Sequence, residues 1–255
     1  MPNLTRRRRR VILIAHRGAS AYAPESTKAA IEMALAMKAD MIELDVQLTS
    51  DERLVVFHDE RLERTTNGHG VLSRMPYHAL ARLDSGSWFA SRCAGERILL
   101  ASQALRLAGS SCLVNLELKR TARPKTLIER LGRCLRWTRS IRRVLVSSFD
   151  PSLLARLKIT HPRVARALLC RRHPARALGQ AVELGCVAFH PHQSLITSSL
   201  IAQAHAAHLR VHVWTVDRVD EARRLVRMGA DGLFTNVPDR LRRSFAINFA
   251  EQNLS

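Results

Sequence analysis

Two histidines and three carboxylates fall in this chain where strands ought to end. His16-Arg17-Gly18 follows an apolar run at 11–15, and Ile42-Glu43-Leu44-Asp45 is followed by Phe57-His58-Asp59. On an extended strand, side chains two apart share a face, so Glu43 and Asp45 aim together while Leu44 points away. The stretch 113–119 repeats the device, with Asn115, Glu117 and Lys119 on one face and leucines on the other. Three carboxylates on two strands form an oxygen-only donor set, which suits a hard divalent cation such as Ca2+ or Mg2+ better than zinc. Each group also has a plainer reading. Polar alternation describes a solvated sheet edge, and a lone histidine is usually a surface or structural group. Only their combination outlines a site with a metal and proton-transferring imidazoles.

The elements that must position these groups alternate along the chain. Apolar runs predict strands over 11–15, 41–46, 112–118, 144–147, 164–169, 186–189, 211–216 and 232–235. Amphipathic segments predict helices over 27–38, 101–108, 125–137, 151–158, 175–184, 200–208, 219–228 and 238–249. Strand-helix pairs repeated in this way predict a TIM-type (β/α)8 barrel, whose active centre lies at the carboxyl ends of the strands. A small insertion, about 49–100, follows the second strand and carries a hairpin-like pattern and turn residues at 67–70. At 255 residues and 46% hydrophobic, the chain suits one barrel domain with that insertion.

The order of these pieces resembles the glycerophosphodiester phosphodiesterase family. The match runs from His16-Arg17-Gly18 and Ala23-Pro24-Glu25-Ser26-Thr27 through Ala39-Asp40, Glu43-Leu44-Asp45, Thr49, Asp51 and Phe57-His58-Asp59. It continues with Arg64-Thr65-Thr66-Asn67-Gly68, Gly70, Glu117-Leu118-Lys119, Ser148-Phe149-Asp150, Trp214-Thr215-Val216, Gly229-Ala230-Asp231-Gly232 and Thr235-Asn236-Val237-Pro238. The chain departs from the pattern at 99–105, where relatives usually carry proline and an acidic pair, and at Lys38, where they usually have glycine.

The resemblance implies metal-dependent hydrolysis of glycerophosphodiesters to glycerol 3-phosphate and an alcohol. Glu43, Asp45 and Glu117 would hold one divalent cation, Ca2+ or Mg2+. His16 would act as base and His58 as acid, Arg17 and Lys119 would grip the phosphate, and Trp214 would pack against substrate from late on its strand. Glu25 has a supporting role beside Ser26, the expected N-cap of the first helix. The attacking group, water or the glycerol hydroxyl, stays open, as does the alcohol released. A lysophospholipase D-like activity is the variant of this reading.

A formal net charge of +19 keeps a second class in view, a catalytically silent basic barrel that binds nucleic acid or anionic membrane. No zinc-finger, RNP or helix-turn-helix signature accompanies the arginines, so nucleic acid is not the expected partner. A small-molecule glycerophosphodiester, with loose contact to anionic membrane, fits better. Five scattered cysteines lack metal spacing and are expected to be reduced thiols of a cytoplasmic protein. The arginine run at 6–10 and the apolar run after it imitate a signal peptide but are too short, and no segment is apolar enough to span a membrane. Oligomeric state is not written in the chain.

Overall fold

Eight parallel strands close on themselves in the computed structural model, which describes residues 10–251. The strands are β1 (Ile12–His16), β2 (Met41–Leu48), β3 (Leu54–Val56), β4 (Leu113–Leu118), β5 (Val144–Ser148), β6 (Ala165–Cys170), β7 (Ala188–Pro191), β8 (Arg210–Val213) and β9 (Gly232–Thr235). All but β3 are parallel; β1 pairs with both β2 and β9, which seals the cylinder. Short β3 lies antiparallel on the carboxyl end of β2, with Val46 opposite Val56. The helices are α1 (Lys28–Ala36), α2 (Tyr77–Leu80), α3 (Ala101–Leu107), α4 (Pro124–Trp137), α5 (Pro151–Thr160), α6 (Pro174–Glu183), α7 (Ser198–Ala206), α8 (Val219–Met228) and α9 (Pro238–Glu251). Apart from α2, which belongs to the insertion, they follow the pattern expected of the (β/α)8 barrel. Of the arginine run, Arg6 to Arg9 lie outside the described residues.

Two apolar layers hold the barrel. Ile14, Met41, Leu145, Ala167, Ala188 and Phe234 fill its interior, while the opposite faces of the same strands pack under the helices in one continuous core. Burial on both faces explains why the barrel strands read as nearly unbroken apolar runs. The insertion has its own small core, built on Val55, Phe57, Leu62, Leu72, Leu80 and Ile98.

Local chemistry sets the helix ends. Thr27, not Ser26, caps α1, its hydroxyl accepting the Ala30 N–H; Ser26 instead occupies the left-handed region at φ 63°. Thr27 takes the cap because its backbone is extended, at φ −97° and ψ 171°, as a capping residue requires, while the Ser26 N–H donates to Arg17 O at 2.9 Å. At 99–105 the helix starts as expected, with the Gln103 side chain accepting the Leu100 N–H at 2.8 Å. Lys38 adopts φ 58° at the end of α1, where Ala39 N–H reaches Ala34 O and Lys38 N–H reaches Leu35 O, a Schellman ending that favours glycine.

Candidate active site

The first imidazole comes from the end of β1. His16 Nδ1 lies 2.8 Å from Asn236 Oδ1, just beyond β9. Asn236 donates through Nδ2 to Asp217 Oδ2 at 2.7 Å, which orients its amide so that the oxygen faces the ring. Nδ1 of His16 therefore donates, and Nε2, 4.0 Å from Glu43 Oε2, carries the lone pair. Burial, reinforced by the charge of Arg17, pushes the His16 pKa down to about 4. The ring is neutral at pH 7.

The turn after His16 folds back on the carboxylates. Arg17 sits at φ 57° and donates its backbone N–H to Glu43 Oε2 at 3.0 Å. Its guanidinium bonds Glu25 Oε1 at 2.9 Å and stands 3.4 Å from Asp45 Oδ2 without hydrogen-bond alignment. Gly18 permits this turn, because a Cβ there would meet the Ala30 backbone at 2.7 Å.

Strands β2 and β4 bring the acids together. Asp45 is in register with Glu117, and ligand oxygens of Glu43, Asp45 and Glu117 all lie within 4.8 Å of one another. Glu43 and Asp45 are 2% and 1% exposed, which rules out the solvated-edge reading. Burial and the neighbouring Asp45 charge raise the Glu43 pKa well above its ordinary value and push Glu117 up to about 7. Asp45 stays below its ordinary value because Lys119 and Arg17 outweigh its own burial. Lys119 Nζ meets Asp45 Oδ1 at 2.7 Å and Glu117 Oε1 at 2.5 Å. Glu43 Oε1 and Asp45 Oδ2 are buried with no hydrogen-bond partner. Orphaned carboxylate oxygens beside a third acid are the donor set that a hard divalent cation completes.

The second imidazole enters from the insertion. His58 lies two residues past β3, and its Nδ1 contacts Asp59 Oδ1 at 2.5 Å. The Gln47 amide holds this turn by donating to Phe57 O at 2.9 Å and Asp59 O at 2.7 Å. Burial lowers the His58 pKa, with Lys119 and Arg17 adding to the effect against the carboxylates of Asp45 and Asp59.

Trp214 lies one residue beyond β8, not late on a strand as expected, because regular pairing stops at Val213 and only an isolated bridge to His192 continues. Its indole N–H donates to His190 O at 2.7 Å, and its ring meets Phe149 edge-on at 5.5 Å. The expected residues thus assemble at one end of the barrel, with Trp214 on its wall.

Sequence reasoning missed three supports. Arg64 bonds both Asp59 and Glu25, so a chain of ion pairs runs His58–Asp59–Arg64–Glu25–Arg17–Asp45. Asn236 and Asp217 set the His16 tautomer. Arg64 and Asn236 fall inside quoted motifs, and their signal was a polar residue in a loop that the barrel must bring to its carboxyl rim.

The family model for the glycerophosphoryl diester phosphodiesterase family matches residues 16–240, from the first imidazole to α9. The chain belongs to this family. The chain is 34% identical over 234 residues to the glycerophosphodiester phosphodiesterase of Caldanaerobacter subterraneus subsp. tengcongensis, covering 91% of this chain and 96% of the relative. It is 34% identical over 236 residues to the enzyme of that name from Bacillus altitudinis, covering 89% and 95%. Among solved structures it resembles an Oleispira antarctica phosphodiesterase in complex with the product sn-glycerol-3-phosphate, with TM-score 0.87, 29% identity, and coverage of 92% and 96%. Glycerophosphodiester phosphodiesterases of this family thus share its barrel over nearly their whole length.

Proposed function

We propose that this protein hydrolyses glycerophosphodiesters to glycerol 3-phosphate and an alcohol, using one divalent cation and two histidines. The observation that carries the reading is the pair of orphaned oxygens on Glu43 and Asp45, set beside Glu117 and flanked by His16 and His58. Glu43, Asp45 and Glu117 would hold Ca2+ or Mg2+. Such an ion, when bound, offsets negative charge on the phosphoryl oxygens.

Arg17 and Lys119 receive the phosphate of the substrate. His16 Nε2 takes the proton of the attacking hydroxyl, from water or from the glycerol itself, as the new P–O bond forms; attack by the glycerol gives a cyclic phosphate that a water then opens to glycerol 3-phosphate. The bond from phosphorus to the alcohol oxygen breaks, and His58 Nε2 gives that oxygen a proton. One imidazole gains a proton and the other loses one. An acid must be charged beforehand, and in the free site burial first, then Lys119 and Arg17, oppose this at His58. A bound phosphate offsets both cations and leaves Asp59 to hold the imidazolium, which favours the charged acid.

A silent basic barrel accounts poorly for the acids, since buried carboxylates with raised pKa values cost stability and are kept where chemistry needs them. Loose contact with anionic membrane follows from the basic surface, and nucleic acid remains the weaker partner. The five cysteines are free, which supports a cytoplasmic setting. Among the described residues, no helix is long and apolar enough to cross a membrane. We read residues 1–255 as one domain with its insertion.

Purified protein supplied with Ca2+ or Mg2+ is expected to release glycerol 3-phosphate from glycerophosphodiesters. A chelator, or His16→Ala, lowers turnover at least about a hundredfold. Activity that survives both treatments overturns the reading.

A further inference from the structure

Beside the site runs a groove of about 1060 Å3, bounded by the β2–β3 hairpin, the His58 turn and the β4–α4 connection. His58 and Lys119 line it; His16 does not. In-line displacement puts the departing oxygen on the side of the acid, so an alcohol protonated by His58 leaves into this groove. That step rests on the roles proposed above.

The walls are unevenly charged. Arg61, Lys119, Arg120 and Arg123 line the groove against two carboxylates, Asp59 and Glu60. Lys119 is committed to Asp45 and Glu117, Arg61 to Glu63, and Asp59 to Arg64. Arg123 donates to the carbonyls of Thr49 and Ser50, which fixes its position, and it is in no salt bridge among the described residues, although Glu52, itself paired with Arg130, feels its charge. Arg120 has no hydrogen-bond or ion-pair partner among the described residues and also lines the adjoining hollow over Ser148–Ser152. Subtracting Glu60, the groove presents excess positive charge to whatever is joined to the phosphate on that side.

We infer that this groove is the leaving-group subsite, and that Arg120, seconded by Arg123, makes it select alcohols bearing negative charge, such as a phosphorylated polyol, over cationic choline-type alcohols. The shape fits the class: a wide, open groove beside the metal end admits a hydrated polyol and has no aromatic box for a quaternary ammonium among its lining residues.

The test compares kcat/KM for three substrates that share glycerol 3-phosphate: glycerophosphocholine, glycerophosphoglycerol and glycerophosphoinositol 4-phosphate. At low salt the wild type is expected to favour the anionic substrate over the choline ester by about fivefold to tenfold, and 0.5 M salt should narrow the ratio toward one. Arg120→Glu should abolish or invert the ratio, and Arg120→Gln should fall between. Equal wild-type rates at low salt, or a preference untouched by Arg120→Glu, overturn the subsite alone. Failure to turn over any of the three overturns the phosphodiesterase reading, and the subsite with it.

Discussion

Three acids held this close are a liability without a counter-ion and a ligand set with one. Glu117 is pushed up to about 7 by burial first and by the Asp45 charge second, and Glu43 is raised by the same causes. Both carboxyls have folded-state values above their unfolded ones, so the native protein holds protons there more readily, and Glu117 does so as pH falls below about 7. A protonated carboxyl cannot ligate a hard cation, so protons would compete with a cation at these acids on the acid side. Calorimetric titration with Ca2+ is expected to give about tenfold weaker affinity at pH 6 than at pH 8. An affinity that is flat across that window contradicts the ligand assignment. Single residues were the most legible part of the chain: the alternation Glu43, Asp45 and Asn115, Glu117, Lys119 survives as two facing strand ends because a pleat allows nothing else. Burial was not legible there, since a solvated edge has the same pattern.

Elements decide how firmly those residues are held. The insertion meets the β1–α1 turn through Arg64, whose guanidinium is shared between Asp59 and Glu25 at 2.5 to 3.0 Å. Arg64→Ala frees the His58 turn from the Arg17 turn and is expected to lower kcat/KM about tenfold or more, with Arg64→Lys a poor rescue because a lysine cannot bridge two carboxylates in a fixed plane. Without Arg64, Asp59 is left to His58 alone, and its raising effect on the His58 pKa strengthens, so the alkaline limb of the rate profile should move to higher pH. A profile unchanged in position and height would show that the ion-pair chain does not position His58. At this scale the sequence was legible where caps and periodicity agree, as at α8 and β9, both of which match the predicted ranges. It was not legible at β3, three apolar residues with no room for alternation, or at Lys38, whose left-handed backbone explains why glycine is usual there. Trp214 slipped past its strand because β8 and β9 pair at only two positions, which no residue type announces.

On the scale of the whole molecule, the barrel and its insertion carry separate apolar cores that meet at β3. Leu54 and Val56 belong to the barrel core, while Val55, facing the other way, belongs to the core of the insertion. Two bodies stitched through alternate faces of one strand should melt together. Calorimetry is expected to show one unfolding transition with equal calorimetric and van't Hoff enthalpies; a resolved early transition from residues 49–100 would mark the insertion as a separate cooperative unit. The seam also governs how such proteins can be rebuilt. A cap transplanted from a relative brings His58 and whatever substrate preference its groove encodes, but it will seat only if the donor keeps the inward and outward volumes of that three-residue hinge stitch. Modularity in this architecture is therefore licensed by the smallest element it contains.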